Sequence, residues 1–408
     1  NPSFLLSGRS NMNLNNQTWV TEFLLLGLSD DPQTQLLLII LFLGVYLGTV
    51  LGSLLLIYLV LTDSHLHTPM YFFLFHLSLA DLGVSTTIVP QALFHMLTRK
   101  KAISFMGCAA QLFFTLHFGS TQCSLLAVMS YDRYLAICDP MHYSLIMTGR
   151  LCGQLALVCW VCGIVVSSVD TVFTLSLPYQ GDNRIAHFFC DAPVILTLAS
   201  GDTHKAEVAI FFMGVVILLT PVSLILVSYG FIIVTVIRMK TTSGRLKAFS
   251  TCGSHLLVTS SGRLKAFSTC GSHLLVVILF YGTLIIGYMI PKSSREQIKQ
   301  VAVFYGVINP MLNPLIYSLR NEEVKRAFRN AVNKIFLFHS RSLTTFGHIS
   351  YPQSLSFIPL AKNDHTTMTG IRECMKILSF YFTYTYIYIY VCIKICGSKH
   401  ITVYNYND

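Results

Sequence analysis

The chain has 408 residues, of which 53% are hydrophobic and only 11% charged, and its mean hydropathy is +0.61. So apolar a composition excludes an ordinary soluble globular protein and points to a membrane protein. The net charge of +10 does not imply nucleic-acid binding, because the basic residues flank apolar runs instead of forming one patch.

In chain order, the polar segment 1–35 is expected to lie outside the membrane. Met12 reads as a start and Asn1–Asn11 as read-through; with no cleaved signal peptide in view, the first apolar span would serve as the targeting signal. Asn16-Gln17-Thr18 is an N-glycosylation acceptor, which must face the lumen to be modified. Seven apolar spans follow: Leu36–Leu61, Met70–Gln91, Cys108–Tyr134, Leu151–Leu177, Val208–Ile237, Ala266–Ile290 and Gln300–Leu319. Each reaches the ~20 residues that cross the hydrocarbon core as a helix. Mostly short connections make 36–338 one bundle. With the N-terminus outside, the inner loops and the proximal tail through Lys334 hold thirteen Lys and Arg and the outer segments nine, a modest positive-inside bias.

Polar residues within such spans are costly unless paired or solvated, so they are functional candidates. Asp81 is a carboxylate in the middle of the second span. Asp132 and Arg133 stand at the polar end of the third, where the carboxylate can hold the guanidinium in one state and release it in another. The bland alternative is a pair that anchors the helix end at the lipid headgroups. Pro314, within Asn313-Pro314-Leu315-Ile316-Tyr317, removes a backbone donor and bends the seventh span. Most of the twelve cysteines fall inside spans or at inner ends, where small buried hydrophobes are the default. His187 near Cys190 reads as a solvated loop histidine in preference to a metal ligand.

Several stretches together carry a family resemblance. They are Pro69-Met-Tyr-Phe-Phe-Leu74, Leu77-Ser-Leu-Ala-Asp81, Met129-Ser-Tyr-Asp-Arg-Tyr-Leu-Ala-Ile-Cys138, His187-Phe-Phe-Cys-Asp191, Ser228-Tyr229, Lys265-Ala-Phe-Ser-Thr-Cys270 and Asn309-Pro-Met-Leu-Asn-Pro-Leu-Ile-Tyr-Ser-Leu-Arg-Asn321. In this order, over 12–336, the chain closely resembles vertebrate odorant receptors, which are rhodopsin-like receptors coupled to G proteins. The resemblance implies an all-α membrane protein, a seven-helix bundle with a short amphipathic eighth helix over 321–336. It implies a plasma-membrane location with the N-terminus extracellular. The implied partners are a small odorant, membrane lipid and the olfactory stimulatory G protein, with cyclic AMP as output. No cofactor is expected, and no phosphate loop, zinc-protease pattern or nucleophile elbow suggests an enzyme.

The same resemblance implies roles for particular residues. Asp132, Arg133 and Tyr134 would couple to the G protein, with Tyr229 and Tyr317 swinging inward to meet Arg133 as the helix around Asn313 and Pro314 rearranges. Cys108 and Cys190 would form a disulfide. Asp81 would belong to an internal sodium and water site, or to a plain polar network, because Gln122 stands where the family has a second acidic residue and Ser53 where it has Asn. A second pair of loop cysteines is replaced by Gln180 and Ser200, and Asp139 stands in place of the usual His. Counting along the helices places a ligand pocket at Thr115, Leu116, Gly119, Ser120, Met213, Ile217, Tyr281, Leu284 and Ile285, mostly apolar with a few hydroxyls.

Two segments depart from the family. Ser243–Val258 recurs letter for letter at Ser261–Val276, a tandem duplication with a period of 18 residues. The second copy is expected to form the sixth helix, because only it runs directly into Val277-Ile-Leu-Phe-Tyr281. The tail 339–408 is expected to be disordered, and Tyr384–Cys392 reads as a translated simple repeat; an eighth span over Ile377–Cys396 is the alternative. The alternatives to a working receptor are a non-signalling product held in the endoplasmic reticulum and, from another class, a transporter or channel. The latter is disfavoured because no span shows inverted repeats or a ring of charge.

Overall fold

In this computed structural model the described residues are 20–98, 101–240, 260–289 and 295–333. Helix α1 runs over Pro32–Thr62, α2 over Pro69–Thr98, α3 over Phe105–Cys138 and α4 over Gly149–Leu175. Helix α5 continues from His204–Gly214 through a π turn at Val215–Leu219 into Thr220–Lys240. Helix α6 is Ser260–Met289 and contains the second copy of the repeat. Helix α7 continues from Arg295–Val303 through a π turn at Phe304–Ile308 into Asn309–Arg320, and α8 follows over 322–333. Six of these helices are long and apolar enough to cross a membrane, and Gly271–Ile285 within α6 adds a shorter apolar stretch.

The helices begin where short polar side chains replace the missing backbone acceptors. The Asp31 carboxylate accepts from the Thr34 N–H at 2.8 Å, Ser104 Oγ from the Gly107 N–H at 3.1 Å, and Asn321 Oδ1 from the Glu323 N–H at 2.9 Å. Inside the spans, hydroxyls turn back on their own helix, as Thr49 does to the Val45 carbonyl and Thr121 to that of His117. This satisfies them without water, which a bilayer demands. Both π turns end two residues before a proline, Pro221 and Pro310. Proline offers no N–H and crowds the carbonyl one turn back, and a widened turn absorbs that conflict.

Helix α2 is the most enclosed, with 78% of its spanning window buried against 17% for α5. Phe118 of α3 lies flat over Gly83, so close that a Cβ there would stand 2.5 Å from its ring. At Gly163 of α4 a Cβ would stand 2.7 Å from the His117 carbonyl, so α3 and α4 also meet backbone to backbone. The leucines and isoleucines left exposed on α1, α4 and α5 are the faces that lipid would cover.

A second, smaller core closes the outer end, and nothing in the sequence reading anticipated it. Strand β1, Glu22–Leu25, pairs antiparallel with β2, Ala102–Ser104, and parallel with β3, Arg184–Ile185. This three-stranded sheet draws the segment before α1, the first outer loop and the second outer loop into one layer. Phe23, Leu25, Ile103, Tyr179, Ile185 and Ile195 bury their side chains beneath it with Cys108 and Cys190.

Candidate functional site

The outer end is fixed by a set of cross-links. Cys108 of α3 is disulfide-bonded to Cys190, with Cα atoms 5.5 Å apart. Gln111, one turn further along α3, donates to the Thr87 carbonyl of α2 at 3.1 Å and accepts from the Cys190 N–H at 2.9 Å. Tyr305 of α7 donates to Asp191 at 2.9 Å. At the positions of the missing second cysteine pair, Ser200 Oγ accepts from the Gln180 N–H and donates to the Gln180 carbonyl, at 3.2 and 3.1 Å. A pair of hydrogen bonds thus joins the same two points of the loop.

The expectation of a solvated His187 does not hold: its side chain is 0% exposed. The ring stacks on Phe188 at 4.9 Å and meets Phe189 edge-on at 4.5 Å, and burial pushes its pKa down to about 3. Phe188 packs against Phe42 of α1 and Phe189 against Tyr305 of α7. The sequence signal that could have found this was the flanking pair of phenylalanines, which a solvated loop does not need.

In the middle of the bundle, Asp81 Oδ1 accepts from Gln122 Nε2 and Asn313 Nδ2, each at 2.7 Å. The neutral Gln122 donates where a second carboxylate would have repelled, so the polar-network alternative accounts for one oxygen of Asp81 without a cation. Oδ2 of Asp81, Ser53 Oγ, Asn313 Oδ1 and both amide atoms of Asn309 are buried without hydrogen-bond partners. The oxygens among these atoms also fit a small hard cation or water. Pro314 packs its ring toward Gly52 of α1, where a Cβ would meet it at 3.3 Å.

At the inner end, Arg133 donates twice to Asp132 Oδ2, at 2.7 and 3.1 Å, and Tyr143 donates to Asp132 Oδ1 at 2.8 Å. Asp132 is 0% exposed and Arg133 18%. Tyr143, in the helical turn Tyr143–Ile146, was missed from sequence; burial and then the Asp132 charge raise its pKa. Tyr229 is hydrogen-bonded to His273 Nδ1 of α6 at 2.8 Å, and His273 Nε2 to the Leu126 carbonyl of α3 at 3.2 Å. His273 was also missed, although a ring nitrogen within a span is itself a signal. Tyr317 is buried with its hydroxyl unpartnered, and Tyr134 rests against Phe231 of α5 with ring centroids 5.8 Å apart. Tyr71 of α2 donates to Glu323 of α8 at 2.8 Å.

The residues proposed for the ligand straddle the two cores. Leu116 packs with the outer one, whereas Ile217, Tyr281, Leu284 and Ile285 belong to the main one. Tyr281 donates to the Cys123 carbonyl at 2.7 Å, tying α6 to α3. Thr115 Oγ1 is buried without a partner and Ser120 is buried. A Cβ on Gly119 would meet nothing within 4 Å, so space is open beside it. Met213 is half-buried on α5. A cleft between α1, α2 and β1, lined by Leu28, Leu38, Phe42, His95 and Phe188, lies away from this set. Asn16, the first repeat copy and the tail lie outside the described residues.

Helices of this number and length, an outer disulfide from α3 to the loop between α4 and α5, and buried polar clusters at mid-bundle and inner end define a seven-helix membrane receptor. Comparison with known proteins agrees. Residues 52–317 match the family model for the 7 transmembrane receptor (rhodopsin family). The chain is 64% identical to the human (Homo sapiens) olfactory receptor 2D2 over 79% of its own length and 98% of that protein. It is 47% identical to the olfactory receptor-like protein OLF3 of Canis lupus familiaris, over 79% and 97%. Squid rhodopsin shares the fold, with a TM-score of 0.60 at 18% identity over 75% of this chain and 87% of that one. The chain belongs to the rhodopsin family of seven-transmembrane receptors and, within it, to the olfactory receptors. It is therefore a multi-pass membrane receptor that takes a small-molecule ligand and a G protein as partners.

Proposed function

We propose that this olfactory receptor sits in the plasma membrane with its N-terminus extracellular, binds a small volatile molecule in the outer half of the bundle, and activates the olfactory stimulatory G protein to raise cyclic AMP. Thr115, Leu116, Gly119, Ser120, Met213, Ile217, Tyr281, Leu284 and Ile285 would line the pocket. The open space beside Gly119 supports that location. Tyr281 would transmit ligand contact, because its hydroxyl also ties α6 to the Cys123 carbonyl of α3.

The observation that carries the signalling reading is the buried Asp132 carboxylate, one oxygen taken by Arg133 and the other by Tyr143. A guanidinium held this way is restrained at the end of α3 until the helix ends move. Outward movement of α6 would break the Tyr229–His273–Leu126 chain and free Tyr229, with Tyr317, to meet Arg133. A sodium ion or water held by Asp81, Ser53 and Asn313 would supply positive charge or hydrogen bonds to the unpartnered oxygens there.

Odorant-evoked cyclic AMP in transfected cells, with surface staining alongside, tests this reading. The receptor with and without one 18-residue copy should both reach the surface, and the shorter form should respond more strongly, because an extra copy in the inner loop would crowd the G-protein surface. Surface receptor that raises no cyclic AMP to any odorant in either form would overturn it.

A further inference from the structure

One buried acidic side chain stands outside these networks. Asp170 lies on α4, is 5% exposed, and its Oδ1 is buried without a hydrogen-bond partner. Among the described residues no ion pair reaches it. A carboxylate in this condition is among the costliest groups a membrane helix can carry, and a structural role would have left it paired.

Its position is set by the periodicity of α4. Gly163, Ser167, Asp170 and Thr174 follow at intervals of four, three and four, so they form one face of the helix. Gly163 puts that face against His117 and Thr121 of α3. Asp170 is two turns, about 10 Å, nearer the outer end. Leu112 of α3 belongs to the outer core, and the His204–Gly214 segment of α5 packs on α4. Thr174 is 0% exposed, and its Oγ1 is also buried without a partner, as is Oγ1 of the neighbouring Thr171. The Thr174 carbonyl is already engaged by the Tyr179 hydroxyl at 2.6 Å, which fixes this turn of α4 to the cap.

We propose that Asp170, with Thr174 beside it, is the polar anchor of the ligand pocket and selects small aliphatic amines in their protonated form. This rests on the odorant-receptor reading above and extends the pocket to α4. The unsatisfied groups are all oxygens, and an ammonium offers three N–H donors and no acceptor. Charge-assisted hydrogen bonds to a carboxylate are roughly twice as strong as neutral ones. A neutral alcohol of the same skeleton would leave the buried carboxylate unpaired. The apolar residues of α3, α5 and α6 would take the alkyl chain, with the space beside Gly119 at its far end.

The test measures cyclic AMP responses of the full chain to primary amines from butylamine to octylamine and to the corresponding alcohols, with surface staining. Amines should be the better agonists. Asp170→Asn should raise the half-maximal amine concentration about 30-fold or more, as removal of one partner from a buried charge pair does, while alcohol responses stay within about 3-fold. If Asp170→Asn does not reach the surface, Thr174→Val decides on the same panel: a shift of about 5-fold or more for amines alone supports the proposal, and equal effects on both series overturn it. Equal effects of Asp170→Asn on amines and alcohols also overturn it. Activation by a neutral odorant but by no amine would sink the amine anchor while leaving the receptor function intact. A receptor at the surface that answers neither series nor any other odorant would remove both.

Discussion

The two ends of the bundle are held together by different kinds of interaction. The outer end has a sheet, a disulfide, a core of its own and a fully buried histidine, so that segments from three parts of the chain support one another. The inner end depends on a few polar pairs: Arg133 with Asp132, Tyr143 with Asp132, Tyr229 with His273, and Tyr71 with Glu323. Apolar burial and a covalent link are lost only when the whole cap opens, whereas each inner pair can be exchanged for another of similar strength. The difference teaches which end is built to keep its shape and which to change it. On the proposed reading, the outer end binds ligand and gains from pre-organisation, and the inner end signals and needs two arrangements that lie close in energy.

The largest expected effect comes from breaking the outer clamp. Cys190→Ser should cost ~2–5 kcal/mol and remove the receptor from the cell surface; normal surface staining would show that the cap does not need its disulfide. Arg133→Ala should do the reverse, abolishing the cyclic AMP response at near-normal surface expression, while Asp132→Asn should raise basal output. A normal response from Arg133→Ala would mean that the pair only anchors the helix end.

Acid separates the ends again. His187 has a folded pKa of about 3, against about 6.5 for an unfolded chain, so between these values the unfolded state binds the extra proton. Its contribution is fully present above about pH 6.5 and is lost as pH falls toward 3, at up to ~1.4 kcal/mol per unit. The Tm of detergent-solubilised receptor should fall across that window, and His187→Gln should flatten the slope; identical slopes would remove His187 from the account. Gly119→Leu should fill the open space and shift odorant potencies about tenfold, ~1.4 kcal/mol, without altering surface delivery. An unchanged potency ranking would place the pocket elsewhere. Tyr143→Phe is the smallest change, removing one hydrogen bond worth ~0.5–1.5 kcal/mol; it should raise basal cyclic AMP a few-fold, and no rise would leave Arg133 as the sole restraint on Asp132.

The spans were legible because lipid imposes one simple rule, about twenty apolar residues per crossing with every backbone group bonded internally. The observed helices run longer, α3 to Cys138 and α6 back to Ser260, because helix ends outside the hydrocarbon are set by caps and loops instead of by hydropathy. The Asp132–Arg133 pair was legible because one contiguous motif holds both members, and the Cys108–Cys190 bridge because the family resemblance implied it. The partners of the motif residues were not. His273 and Glu323 come from distant segments, and Tyr143 lies past the end of α3 in a separate helical turn; nothing near Asp132, Tyr229 or Tyr71 points to them. The strands of the cap are two to four residues long and lie apart in sequence, too short for alternation to announce them. Asp170 is one acidic letter in an apolar run, and only packing shows that no cation answers it among the described residues. What sequence alone determined was therefore everything governed by the solvent and by contiguous motifs. Which side chains meet across the bundle, and which buried polar atoms are left without a partner, depends on long-range packing, and that was decided only by the tertiary structure.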